Sequence, residues 1–144
     1  MRIKIINPNT SISMTKEIEL CANKYASSGT DIITVNPKIG VDSIECYVDE
    51  YLAIPGLIKE ILIGECDEYI DAYIIACFGD PGLQAARELT SKPVLGIAES
   101  AIAAAKMIAP NFSIISVLDR SIKVTEDVVK NYGAKDFCRS IRST

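Results

Sequence analysis

Residues 72–83 read Ala72-Tyr73-Ile74-Ile75-Ala76-Cys77-Phe78-Gly79-Asp80-Pro81-Gly82-Leu83. The Ile-rich centre suits a strand buried on both faces of a sheet, and the Gly/Pro turn after it opens a helix. Working upstream, helical patterns over residues 44–53 and 56–64 are separated by Pro55-Gly56, which predicts two helices there. Before them stand apolar runs at residues 32–35 and 3–6, joined by a helical stretch over residues 14–26 that places Ile18, Cys21, Ala22 and Tyr25 on one face. Working downstream, a short helix over residues 83–89 precedes Pro93-Val94-Leu95-Gly96. An Ala-rich helix to Ala109, an apolar run over 112–117 and a last helix from Ser121 to about Asn131 follow. Alternating strands and helices of this kind predict an α/β fold with a mostly parallel sheet.

The composition narrows the function. The chain has 144 residues, with 15 Lys plus Arg against 19 Asp plus Glu and a net charge of −4. Without a basic cluster, this argues against nucleic acid or an anionic membrane surface as partner. The chain has no His, which removes the commonest general base and the usual zinc, copper and haem ligands. The N-terminal run turns polar after Ile6, too soon for a signal sequence, and no later segment reaches membrane-spanning length. A cytoplasmic protein is expected. Its five cysteines, at 21, 46, 66, 77 and 138, form no C-x-x-C pair and have no His to complete a metal set. They read as free thiols, and no metal is expected.

In parallel sheets, ligands bind outside the carboxyl ends of the strands, so the loops just after each apolar run carry the information. One is Asn7-Pro8-Asn9-Thr10-Ser11, rich in hydrogen-bonding side chains and leading into a helix. Read structurally, the same residues are an N-cap with its turn. The other is Cys77-Phe78-Gly79-Asp80-Pro81-Gly82, where a thiol leaves a strand near a helix N-terminus, a setting that lowers a thiol pKa. Read structurally, Cys77 is a small hydrophobe at a strand end. Asp80 and Glu99 read as capping residues, with a place in the cleft as the alternative for Glu99. Cys21, Cys46 and Cys66, in helical patterns or beside acidic residues, read as structural.

Residues 6–11, 75–83 and 93–99, with Asp49-Glu50-Tyr51-Leu52-Ala53, Asp71-Ala72-Tyr73 and Arg120-Ser121 in the same order, resemble the hydantoin racemase branch of the aspartate/glutamate racemase superfamily. The likeness spans essentially the whole chain and is most specific around Cys77. It implies flavodoxin-like architecture, with one complete α/β half over residues 1–97 and part of a second similar half over 98–144. It also implies a cofactor-independent racemase, in which two cysteines flank a small-molecule substrate and exchange a proton at the carbon next to a ring carbonyl. Cys77 matches the first of these cysteines, and Asn9, Thr10, Ser11, Phe78 and Gly79 are the implied substrate-binding residues.

The second cysteine of the family lies in a later Gly-Cys block that does not occur before Thr144, and Cys138, followed by Arg139-Ser140, reads as structural. Val117 stands where the family pattern suggests a hydroxyl, and Ala103 where relatives often carry a histidine. Racemase chemistry is therefore expected to be incomplete in this chain. The alternatives are a non-catalytic fragment or pseudoenzyme that binds a small carbonyl compound, and a one-cysteine decarboxylase or isomerase of the same superfamily. A partial second half also predicts a sheet edge and an Ala-rich helix face left uncovered, and hence a homo-oligomer.

Overall fold

The computed structural model describes residues 1–67 and 69–144. The four-stranded sheet and its helices comprise β1 (Arg2–Ile6), α1 (Ile12–Tyr25), β2 (Asp31–Val35), α2 (Tyr47–Asp67), β3 (Ala72–Ile75), α3 (Leu83–Leu89) and β4 (Val94–Gly96). These strands form one parallel sheet in the order β2-β1-β3-β4. Its core joins Ile6, Tyr73 and Ile75 of the sheet to Leu57 and Ile61 of α2. The mostly parallel α/β sheet is the one the alternating pattern predicts.

Helix α2 runs unbroken through Pro55, where the sequence suggests two helices. Proline in a helix interior costs about 3 kcal/mol through its missing N–H and its ring. Against this, Ala53, Leu57 and Ile61 follow one another at four-residue spacing on one face and are fully buried. Burial of the Leu and Ile side chains alone returns roughly 1.5–3 kcal/mol each. Tertiary packing decides the outcome. Gly56 and Gly64 permit close approach on the same helix: a Cβ at 56 would meet Pro37 Cβ at 2.7 Å, and one at 64 would meet the Tyr73 hydroxyl at 2.5 Å. Lys4, buried on β1, is paired with Glu60 of α2 at 3.4 Å and bonds that residue's carbonyl at 3.0 Å, as a buried cation requires.

The remainder contains α4 (Ile97–Ile108), β5 (Phe112–Ser116), a single 3-10 turn (Asp119–Ser121), α5 (Ile122–Asn131) and β6 (Cys138–Ser143). Strands β5 and β6 pair in parallel with an irregularity between Phe112 and Ser113. Strand β6 has no counterpart in the sequence reading, because Cys-Arg-Ser-Ile-Arg-Ser offers only Cys138 and Ile141 as apolar anchors. Both pack against a second core of Ala98, Ile102, Val128, Val129 and Ala134. The face of α4 expected to stand uncovered is therefore filled at Ala98 and Ile102. Exposed apolar side chains remain at Met107, Ile108, Ile115 and Val117. No helix among the described residues is long and apolar enough to cross a membrane.

Candidate functional site

The strand order fixes where a ligand can go. Strand β1 has β2 on one side and β3 on the other, so the connections leave it in opposite directions and open a crevice at its carboxyl end. Because Ile6 pairs with Ile75 and Ala76 N–H donates to the Ile6 carbonyl at 2.9 Å, the loops starting at Asn7 and Cys77 lie side by side. The two loops singled out in the sequence thus meet at one sheet edge.

Their side chains have different roles. Asn7 Nδ2 donates to Asn9 Oδ1 at 2.8 Å, Asn9 Oδ1 also accepts from Ser11 N–H at 2.9 Å, and Ser11 Oγ accepts from Met14 N–H as the N-cap of α1. Thr10 Oγ1 donates to Asp42 Oδ1 at 2.5 Å. These bonds engage Asn9, Thr10 and Ser11 within the loop. None of the three lines the adjoining cavity, although Asn9 Nδ2 holds the sulfur of Met14, which does.

That cavity, of about 440 Å³, lies between the β3 turn and the start of α2 on one side and β5 with the segment after it on the other. Cys77, Phe78 and Gly79 face it from the β3 turn, and Cys46 and Glu50 from the start of α2. The opposite wall comes from β5 and the segment after it, including Ser116, Val117 and Ser121. Ser116 and Ser121 share a hydrogen bond at 2.6 Å, and Ser121 Oγ donates to the Leu118 carbonyl at 2.7 Å. Across the seam, Tyr132 donates its hydroxyl to Asp80 at 2.7 Å, Tyr47 bonds Asp127, and Arg120 pairs with Glu45. The Asp127 carboxylate, accepting that bond, pushes the Tyr47 hydroxyl up to about 12.

Cys77 departs from the expected electrostatics. Burial first of all pushes its thiol up from 9.0 to about 11; the Gly79 N–H works the other way, and the charges of Glu50 and Asp80 add to the rise. The expected lowering needs a free helix N-terminus aimed at the sulfur. Helix α3 instead begins six residues later at Leu83 and is only 7 residues long. The N-terminus of α4 is capped by Asp80, whose carboxylate accepts from Ala98 N–H at 3.0 Å and Glu99 N–H at 2.8 Å. Asp80 thus caps α4 and not the helix of its own turn. Glu99 does not enter the cavity; it forms a two-point ion pair with Arg87, the shorter contact 2.6 Å.

Sequence reasoning passes over Glu50 as a site residue. Its carboxyl oxygen lies 2.0 Å from the point a Cβ at position 79 would occupy, so glycine at 79 lets the carboxylate stand where it does and a larger residue would displace it. Burial raises the Glu50 carboxyl above its ordinary range. The legible signal was Gly79 itself, a glycine without positive φ whose use is close approach. Cys46, also in the wall, donates its thiol proton to Asp49 at 3.2 Å.

A labelling order follows from these environments. Cys21 and Cys66 are exposed, whereas Cys77 is half-buried with a raised pKa. With iodoacetamide at pH 7.5 and peptide mass spectrometry, Cys21 and Cys66 are expected to label first and Cys77 at least about tenfold more slowly, since thiolate fraction and access set the rate. Preferential labelling of Cys77 would contradict this account of its surroundings.

Residues 3–144 match the sequence profile of the Asp/Glu/Hydantoin racemase family. A hydantoin racemase of Pseudomonas sp. (strain NS671) is 54% identical over 144 residues, which cover 100% of this chain and 57% of that protein. Allantoin racemase from Klebsiella pneumoniae superposes with a TM-score of 0.96 at 43% identity, over 99% of this chain and 58% of that one. A glutamate racemase from Campylobacter jejuni subsp. jejuni, at 16% identity and a TM-score of 0.64, shares the fold, over 99% of this chain and 56% of its own. The chain therefore spans just under three-fifths of the length of the relatives it matches.

Proposed function

The chain belongs to the Asp/Glu/hydantoin racemase family, and we propose that it carries one proton-transfer centre of a cofactor-independent racemase for hydantoin-type or allantoin-type substrates, with Cys77 as the group that moves the proton. The observation that carries this reading is the position of Cys77 at the carboxyl end of β3, facing the cavity of about 440 Å³. The Cys77 thiolate takes the proton from the carbon beside the ring carbonyl, and the electron pair passes into an enolate. The thiol then returns a proton, after exchange with solvent, to the same carbon. A thiol near 11 is mostly protonated at neutral pH, yet its thiolate is the stronger base for a weak carbon acid, so scarcity is offset by reactivity.

Phe78 and Gly79 supply the wall beside the thiol, and Asn9, Thr10 and Ser11 hold the β1 loop in the shape that sets Met14 against the cavity. Inversion requires a second proton-transfer group on the opposite face of the substrate. Of the described residues lining the cavity, the other thiol is Cys46, and its proton is committed to Asp49. The chain is thus expected to exchange the substrate proton faster than it inverts the centre.

The test follows optical rotation and deuterium uptake together in D2O, using a single enantiomer of a 5-substituted hydantoin. Uptake of deuterium with slower loss of rotation supports the reading. Binding without uptake would favour a non-catalytic module for a small carbonyl compound. The same reading includes a cytoplasmic setting for the free thiols and self-association through the exposed Met107 and Ile108 of the Ala-rich helix α4. Light scattering on dilute protein checks the last point: a concentration-independent monomer would refute it.

A further inference from the structure

We propose that Glu50 accepts an N–H of the substrate in the cavity and so selects neutral, N–H-bearing rings and ureides over anionic amino acids. This rests on the reading of the cavity as a racemase site and deepens it. The carboxylates around Cys77 are otherwise engaged. Glu45 is paired with Arg120, Asp49 accepts from Glu45 N–H and the Cys46 thiol, and Asp80 accepts from two backbone amides and Tyr132. The Tyr47 hydroxyl beside Glu50 is turned to Asp127. Glu50, facing the same cavity, has no hydrogen-bond donor or cation among the described residues, and burial is the influence that sets its ionisation.

A half-buried carboxylate with no protein donor is an open acceptor in the cavity, and a ligand that brings an N–H forms a charge-assisted hydrogen bond with it. A hydantoin or ureide carries N–H groups beside its acidic carbon and no net charge, so it meets the need of Glu50 without repulsion. An α-amino acid brings a carboxylate into a cavity that holds Glu50 with Asp80 nearby, and among the described residues no Lys, Arg or His lines that cavity to neutralise it. The room left by Gly79 places the Glu50 oxygen at the turn that carries the thiol, so a ligand held there presents its adjacent carbon to Cys77. The ring N–H and the reacting C–H are neighbours in the substrate, as Glu50 and Cys77 are in the wall.

The experiment measures protection of Cys77 from iodoacetamide in the 144-residue chain, read on the Cys77 peptide. The ligands are a 5-substituted hydantoin, its N,N′-dimethyl analogue and the corresponding free amino acid. Wild-type protein is expected to bind the hydantoin about tenfold or more tightly than the dimethyl analogue, the size of one hydrogen bond to a charged group. In Glu50→Leu that advantage should fall below about threefold. Glu50→Gln, which keeps the shape and an acceptor, provides a readout without ligand: removing the charge should speed Cys77 alkylation at pH 8 by about threefold or more, because a negative neighbour no longer holds the thiol protonated.

An unchanged N–H advantage in Glu50→Leu, or an unchanged alkylation profile in Glu50→Gln, overturns the role of Glu50 while leaving the racemase reading intact. Absence of protection by any hydantoin in the wild type overturns the racemase reading, and this proposal with it.

Discussion

Cys77→Ser is expected to lower deuterium exchange at the substrate carbon by about 10²–10⁴-fold, the usual contribution of a positioned acid or base, while the hydantoin still binds. The hydroxyl keeps the shape of the site but is far too weakly acidic to spend time as the anion. Cys21→Ser, on the exposed side of α1, is the matched control and should exchange at the wild-type rate. The pH dependence has a definite sign. Burial and the neighbouring carboxylates favour the protonated thiol, so the thiolate fraction rises about tenfold per unit over the range below 11. Exchange by free enzyme should therefore climb through pH 7–10. A rate already level at pH 7 would show that another group abstracts the proton, or that the ligand itself restores a low thiol pKa. Retained exchange in Cys77→Ser at neutral pH would remove Cys77 from the chemistry.

What the sequence disclosed, and what it hid, follows from the range of the forces involved. The β3 strand and its turn were readable because hydrophobic runs and Gly/Pro punctuation are local signals. The unbroken α2 was not, since the burial of Ala53, Leu57 and Ile61 that overrides Pro55 depends on the whole sheet. Strand β6 depends on just two side chains reaching a core built by α4 and α5. The family likeness points to Cys77, but burial raises its thiol pKa where a position near a helix start suggests a lowering. The helix that follows in sequence, α3, begins six residues after the thiol, and the N-terminal amides of α4 are taken by Asp80 from the thiol's own turn. Glu50 lies 27 residues from Cys77 in sequence, so only the fold brings its carboxylate against Gly79.

Asp80 also explains the largest expected loss of stability. It is the one non-glycine residue with positive φ among those described, at 47°, a strained backbone held because its carboxylate accepts two amides of α4 and the Tyr132 hydroxyl. Gly96 lies directly against it: an added Cβ would stand 2.2 Å from Asp80 Cγ and 2.4–2.5 Å from both oxygens. The carboxylate has nowhere to retreat without leaving its three donors. Gly96→Ala is therefore expected to destabilise the chain by about 3 kcal/mol in urea unfolding, comparable to losing a buried charged cap outright. Asp80→Gly should cost a similar amount, because it frees the strained backbone but leaves two amides and a tyrosine hydroxyl unpaired. The two effects have one cause, so they should not add. In the Asp80→Gly background, Gly96→Ala no longer meets a side chain and should cost less than about 1 kcal/mol, a coupling of about 2 kcal/mol or more. Independent, additive losses would mean that the carboxylate can move aside, and that the link from the Cys77 turn through Asp80 to α4 and Tyr132 does not fix the cavity.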